Sequence, residues 1–276
     1  LFQELNFFSM IKRIPGQSSE PQPVTQDPEE GVKDFKYELI AEDKIDEFIE
    51  LLEEQKEVAI YLRTTGGKYY NSELLGIGFC WKAGRAAYVE LKVLTVSAGS
   101  RPGGKSSKFK VILESEQIRK IGYDLKYCTE VLKKYEIELK GQLFDTMLAA
   151  YVLNPGGKIE FKNLVLEELK EEITGKDKSG QLGLEIESEE AIAQKICRAA
   201  DYIFKLKQIY EKKIKEISAE QKNNNIQREN KNVQTIFENI ELPLIEILAQ
   251  MEMAGIKLNP IIFQGISQKI DKKVEN

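Results

Sequence analysis

Leu74-Leu-Gly-Ile-Gly-Phe-Cys-Trp81, then Lys82-Ala-Gly-Arg85, then Ala86-Ala-Tyr-Val-Glu-Leu-Lys-Val93 is the stretch on which the fold turns. Its first part is apolar almost throughout, as a strand buried on both faces is. The middle places a glycine in a four-residue turn, and the last part returns with aromatic and β-branched residues. Residues 58–62 are a shorter β-rich run upstream, so the three segments predict an antiparallel meander. Downstream the pattern changes: residues 109–113 predict a helical turn, 119–123 a strand, 126–135 a helix and 142–144 another strand. A meander followed by β-α-β implies an α/β protein with a mixed sheet flanked by helices.

Helices account for most of the remainder. Ile45, Phe48, Ile49, Leu51 and Leu52 recur at helical spacing among acids. Residues 147–153, 164–173, 189–218 and 233–254 predict four more helices, separated by a Gly- and charge-rich segment at 174–188 and an Asn-rich one at 221–232. Four of the eight prolines, Pro15, Pro21, Pro23 and Pro28, fall in a polar stretch at 15–34 that reads as a linker. Ahead of it, Phe2, Leu5, Phe7, Phe8 and Ile11 form a short apolar cluster in need of a covering surface, and the chain does not begin with Met. Both features suggest a piece of a longer protein.

With 276 residues the chain can bury a core without disulfide or metal staples. It contains no His, which excludes Ser-His-Asp triads, Cys-His pairs and His-containing zinc sites. Three cysteines, Cys80, Cys128 and Cys197, lack CxxC spacing; buried free thiols in a reducing cytoplasm are expected. No apolar run approaches the roughly 18 residues that span a bilayer, so no membrane partner is expected. Forty basic against 45 acidic residues give a net charge of −5, so contact with nucleic acid would have to be local.

Two segments carry a family resemblance. One is Thr235-Ile-Phe-Glu-Asn-Ile-Glu-Leu-Pro-Leu-Ile-Glu-Ile-Leu-Ala-Gln-Met-Glu-Met-Ala-Gly-Ile-Lys-Leu-Asn-Pro260. The other is Ile121-Gly-Tyr-Asp-Leu-Lys-Tyr127 with Gln142-Leu-Phe-Asp-Thr-Met-Leu-Ala-Ala-Tyr151. The first resembles the helix that opens the polymerase domain of family A DNA polymerases, and the second resembles the middle of their 3′→5′ exonuclease domain. Glu4-Leu-Asn-Phe-Phe-Ser9 is similar, more weakly, to the tail of the preceding 5′-nuclease region. The resemblance implies a ribonuclease H-like sheet. It also implies an order of 1–14 ending a 5′-nuclease-like region, 15–34 linker, 35–220 exonuclease-like domain, 221–232 linker and 233–276 opening the polymerase domain. The palm carboxylates would lie beyond the chain, so this part alone is not expected to polymerise.

The family's exonuclease step resembles two-metal phosphodiester hydrolysis, with four carboxylates holding the cations. Counting back from Leu74-Leu-Gly-Ile-Gly-Phe79, the first strand's Asp-x-Glu positions fall on Tyr61 and Arg63. The second motif reads Asp124-Leu-Lys-Tyr-Cys128, placing Cys128 at the metal-binding acid. The third, read from Ala200-Asp-Tyr-Ile203, places Lys195 at its tyrosine and Ala199 at its acid. The expectation is an exonuclease centre without its ligands: a non-catalytic module that supports a polymerase domain and contacts DNA weakly. Arg63 is expected to fill the metal space and pair with Asp124 or Asp201. The alternative is an active metal-dependent exonuclease with relocated carboxylates, for which Asp124, Asp145 and Asp201 are the candidates. Each has a plainer role: Asp124 and Asp145 as helix N-caps, Asp201 facing solvent or paired with a nearby Lys. No cofactor is expected for this chain, Mg2+ belonging to the parent polymerase. DNA through that parent, an intramolecular polymerase domain and a monomeric state complete the partner expectations.

Between Lys82 and Lys110, seven basic residues (Lys82, Arg85, Lys92, Arg101, Lys105, Lys108 and Lys110) stand against the single acid Glu90. The stretch could track phosphates, although a solvated loop kept soluble by its lysines is the simpler reading. Trp81, Tyr69, Tyr70 and Tyr88 could stack on bases, yet strand aromatics more often pack a core or an edge.

Overall fold

The computed structural model describes residues 35–91, 108–173, 188–223, 232–257 and 259–274. The regions expected at 1–14 and 15–34, and most of the segment expected at 174–188, lie outside the described residues. Six strands form one sheet in the order β1-β4-β3-β2-β5-β6: β1 Lys36–Leu39, β2 Glu57–Thr64, β3 Leu74–Lys82, β4 Arg85–Glu90, β5 Arg119–Gly122 and β6 Leu143–Asp145. Strands β2, β3 and β4 are the antiparallel meander, turned at Gly84, whose φ of 80° suits a residue without a Cβ. Parallel pairing adds β5 to β2, β6 to β5, and β1 to β4 on the far edge.

Alternation along the strands divides the core into two layers. Val58, Ile60 and Leu62 of β2, Ile77 and Phe79 of β3, and Ala87 and Val89 of β4 face α1 (Ile45–Glu53) and α2 (Leu125–Lys133). Phe79 stacks on Phe109 at 4.9 Å and meets Phe48 of α1 edge-on at 5.9 Å. Such pairs add about 0.5–1.5 kcal/mol each beyond burial. Ala59, Cys80, Ala86, Tyr88, Ile121 and Phe144 point the other way. They are covered by α3 (Thr146–Leu153), by α4 (Phe161–Leu164) with the wide turn Val165–Leu169 that continues it, and by the long α5 (Glu189–Asn223). Val233–Ile236 and Phe237–Glu241 lead directly into α6 (Leu242–Ala254), which packs on α2, and α7 is Pro260–Val274.

The sheet and the main helices are therefore as the residue pattern predicts, with five differences. Strand β1 was not expected: its four residues follow a polar stretch, and it is held by partners far away in sequence. Strand β4 stops at Glu90, short of Val93. The helix expected at 164–173 starts earlier, at Phe161, and ends at Lys170, whose φ of 58° breaks it. Helix α5 runs past Ser218 to Asn223, and α7 was not expected at all.

Candidate functional site

Strands β2, β5 and β6 end side by side, and there the aromatic rings of Tyr61, Tyr123 and Phe161 gather beside the helix-capping carboxylates of Asp124 and Asp145. Tyr61 and Arg63 project from one face of β2 because they alternate with Leu62. The Tyr61 ring stacks on Phe161 of α4, centroids 6.0 Å apart and planes 27° from parallel. Phe161 packs in turn on Tyr123, at 5.1 Å, and the Tyr123 hydroxyl donates to the Ile159 carbonyl at 3.1 Å. Cys128, buried on the first turn of α2, sets its Sγ 3.9 Å from the Tyr123 carbonyl. Burial raises the Tyr61 hydroxyl pKa, and Cys128 and Tyr127 raise it further. Burial, then the carboxylates of Asp124 and Asp145, holds the Cys128 thiol well above its ordinary range. Both shifts disfavour the anionic form, the form in which either group would best bind a cation.

Arg63 pairs with neither Asp124 nor Asp201, contrary to expectation. Its guanidinium donates to the Tyr88 hydroxyl at 3.0 Å and lies 5.9 Å from that ring's centroid, and no carboxylate among the described residues is within ion-pair reach of it. Register explains this. Arg63 stands opposite Gly76 on β3, and Tyr88 on β4 stands opposite Gly78. A Cβ at Gly76 would fall 2.6 Å from both Tyr88 Cε2 and the Val89 carbonyl, so the missing side chain is what lets the tyrosine lie across the sheet to Arg63. Asp201 contacts the opposite end of β3, at the turn after Lys82. Its nearest contact on the strand itself is the Cys80 thiol, four residues from Gly76, or about 13 Å at the usual rise of ~3.3 Å per residue.

Of the three acids that could take over metal binding, Asp145 and Asp201 have both oxygens bonded and Asp124 has one. Asp145, buried, caps α3 by accepting from the N–H groups of Met147 (2.8 Å) and Leu148 (3.2 Å). Its second oxygen accepts from the Leu125 N–H at 2.6 Å, so one carboxylate closes the first turns of two helices. Burial pushes its pKa up to about 6, with Asp124 adding and the backbone N–H groups opposing. Asp124, in the left-handed region at φ 53°, caps α2 through the Tyr127 N–H at 3.2 Å. Asp201 does not face solvent: it is fully buried and accepts from the Gly84 N–H at 2.7 Å and the Tyr37 hydroxyl at 2.8 Å. Lys205 Nζ lies 2.7 Å away, so the expected pairing with a nearby Lys is present. Ala199 is half-buried on α5, and Lys195 one turn earlier is exposed. That helix lies close on the sheet, where a Cβ at Gly78 would meet Ile196 Cγ2 at 2.7 Å.

Among the basic residues, Lys108 binds Asp46 of α1 at 2.5 Å, Lys82 is exposed at the end of β3, and Arg85 and Lys110 are half-buried. Lys92, Arg101 and Lys105 lie outside the described residues. Tyr88 is core and Trp81 packs edge-on against Phe48; Tyr70 alone of the four aromatics stands well out, 61% exposed, beside Tyr69. Sequence reasoning missed Phe161, Tyr123 and Tyr37. No local signal marks Phe161, whereas the alternation of Lys36-Tyr-Glu-Leu39 could have revealed the strand that presents Tyr37.

A mixed six-stranded sheet with parallel β2, β5 and β6, sandwiched by helices, defines the ribonuclease H-like exonuclease fold. The chain belongs to the 3′–5′ exonuclease family of the A-type DNA polymerases, whose family model matches residues 39–215. It is 26% identical to DNA polymerase I of Bacillus subtilis over 100% of its own length and 28% of that protein's. The chain thus spans about a quarter of the length of the curated relatives it matches. Two solved structures share the fold. One is the POL domain of Pol1 from M. smegmatis in complex with DNA primer-template and dNTP (TM-score 0.64, 15% identity, 86% of this chain and 35% of that one). The other is NrnC of Brucella melitensis with bound Mg2+ (TM-score 0.52, 19% identity, 74% and 90%).

Proposed function

We propose that this chain is the exonuclease-like module of a DNA polymerase I in which the hydrolytic centre is lost, leaving a part that supports the polymerase domain and contacts DNA weakly. The observation that carries this reading is the engagement of the remaining acids: Asp145 and Asp201 have their oxygens bonded to backbone N–H groups, a hydroxyl and an ammonium. Two divalent cations bring about four positive charges and demand several oxygen ligands each. Tyr61, Arg63, Cys128 and Ala199, at the positions that resemble the family's four acids, supply none of these. Arg63 adds a fixed positive charge. No group of three or more Cys, Asp or Glu side chains among the described residues is arranged to hold a metal ion. The residues present do not fit a two-metal centre, and no hydrolytic step is assigned to them.

DNA as a partner, the polymerase domain as an intramolecular neighbour, Mg2+ in the whole polymerase, a monomeric state and a cytoplasmic location belong to the same reading. The polymerase contact is supported by the exposed apolar side chains of α6 and α7, among them Met251, Ile261, Phe263 and Ile270. The test is incubation of the chain with a 5′-labelled single strand and Mg2+ or Mn2+. The strand is expected to stay intact. Laddering that disappears with EDTA and in Asp124→Ala would overturn the reading in favour of an active exonuclease.

A further inference from the structure

At the ends of β2 and β5 the chain places one of its own aromatic rings between two others. Phe161 lies between Tyr61 and Tyr123, stacked on the first and tilted against the second. The segment that brings it there is tied down just ahead of the ring, where the Tyr123 hydroxyl holds the Ile159 carbonyl. The Cys128 Sγ lies 3.9 Å from the Tyr123 carbonyl, and Asp124, next to Tyr123 in the chain, caps α2. A planar side chain stacked on a tyrosine occupies the kind of slot into which an unpaired nucleobase fits, since every base offers the same π-face.

We infer that residues 159–161 are an intramolecular plug: Phe161 fills an aromatic slot on Tyr61 and Tyr123 that would otherwise accept an unpaired base, and the Tyr123–Ile159 hydrogen bond keeps the plug seated. The inference rests on the reading of this site as one derived from a nucleic-acid site, and it concerns access rather than chemistry. Loss of metal ligands would stop cleavage of a bound strand; the plug stops the strand from binding there. Three features act together: the tether at Ile159, the stacked ring, and the capped start of α2, which follows Tyr123 directly in the chain and fixes where it stands.

The test measures binding of a fluorescein-labelled oligothymidylate by anisotropy in the presence of EDTA, so the outcome does not depend on whether cations bind. One stacked base contributes enough to tighten binding about tenfold. Phe161→Ala is therefore expected to bind the strand about tenfold more tightly than the unaltered chain, and Phe161→Trp, which keeps the slot filled, no more tightly. Equal affinity of folded Phe161→Ala and the unaltered chain would overturn the inference. Should Phe161→Ala fail to fold, Tyr123→Phe removes only the tether. Amide hydrogen exchange at residues 159–161 is then expected to quicken while α5 is unchanged, and unchanged exchange at both would refute the plug. Nuclease activity in the separate Mn2+ assay would instead bear on the loss of the metal centre, so the two failures are distinguishable.

Discussion

Replacing Asp201 with alanine separates a structural carboxylate from a relocated metal ligand, because the two roles predict different effects on stability. The side chain is fully buried and receives its strong hydrogen bonds from the Gly84 N–H in the β3–β4 turn and from the Tyr37 hydroxyl on the edge strand. The Cys80 thiol adds a weak contact at 3.8 Å, and Lys205, 19% exposed, can be rehydrated, so its share is discounted. Hydrogen bonds to a charged group contribute about 1.5–3 kcal/mol each, and truncation leaves the Gly84 N–H buried without its acceptor. Asp201→Ala is therefore expected to lose about 3–5 kcal/mol, in the range for breaking a buried charged pair. For a chain of this size that lowers Tm by roughly 10 °C. Urea unfolding reads the loss directly as a shift in midpoint at constant slope. Asp201→Asn keeps one acceptor oxygen and should lose less. Tyr37→Phe should cost about 1 kcal/mol, and adding it to Asp201→Ala should cost less than the sum because the two share one bond. Carboxylates assembled to bind cations repel one another when no cation is bound, so removing one leaves stability unchanged or raises it. A loss below about 1 kcal/mol for Asp201→Ala would refute the structural role.

Two further substitutions probe the sheet. Lys120 on β5 is fully buried, its ammonium donating to the Ser115 carbonyl, and burial pushes its pKa down to about 8 from 10.5, with Glu116 opposing. Between those values the unfolded chain keeps a proton that the fold gives up, so stability rises with pH across this window by up to about 3 kcal/mol. Lys120→Met should stabilise the chain at pH 7 and remove that rise; parallel pH profiles of urea unfolding for the two proteins would contradict this. Gly76→Ala puts a Cβ 2.6 Å from the Val89 carbonyl and into the Tyr88 ring, and should cost about 1–3 kcal/mol in thermal unfolding while breaking the Arg63–Tyr88 bond. Unchanged stability would mean that Tyr88 has another place to go.

How much of this could be read from the residues follows from the range of the forces involved. The meander, the β-α-β unit and the Asp145 cap are local, written in alternation, a turn glycine and a short polar side chain ahead of an apolar run. Helix α7 was readable as well: Asn259-Pro260 is a start signal, and Ile262, Ile266 and Ile270 recur at four-residue spacing. Strand β1 offers only the alternation of four residues as a signal, and what holds it lies far off in sequence: β4 alongside it and Asp201, 164 residues from Tyr37. The Arg63 expectation failed for a related reason. Nearness to a former charge site does not decide the partner; strand register does, placing Tyr88 within reach and Asp201 at the far end of β3. Phe161 had no sequence signal, because a single aromatic after a glycine turn acquires meaning only from the tyrosines it meets.

Mn2+ titrated into the folded chain, followed by electron paramagnetic resonance, tests the loss of the metal centre most directly. The account predicts that the free-ion signal grows in proportion from the first addition, as in buffer, because Tyr61, Arg63, Cys128 and Ala199 offer no ligands and Asp145 and Asp201 are bonded elsewhere. One or two saturable sites that vanish in Asp124→Ala would contradict it.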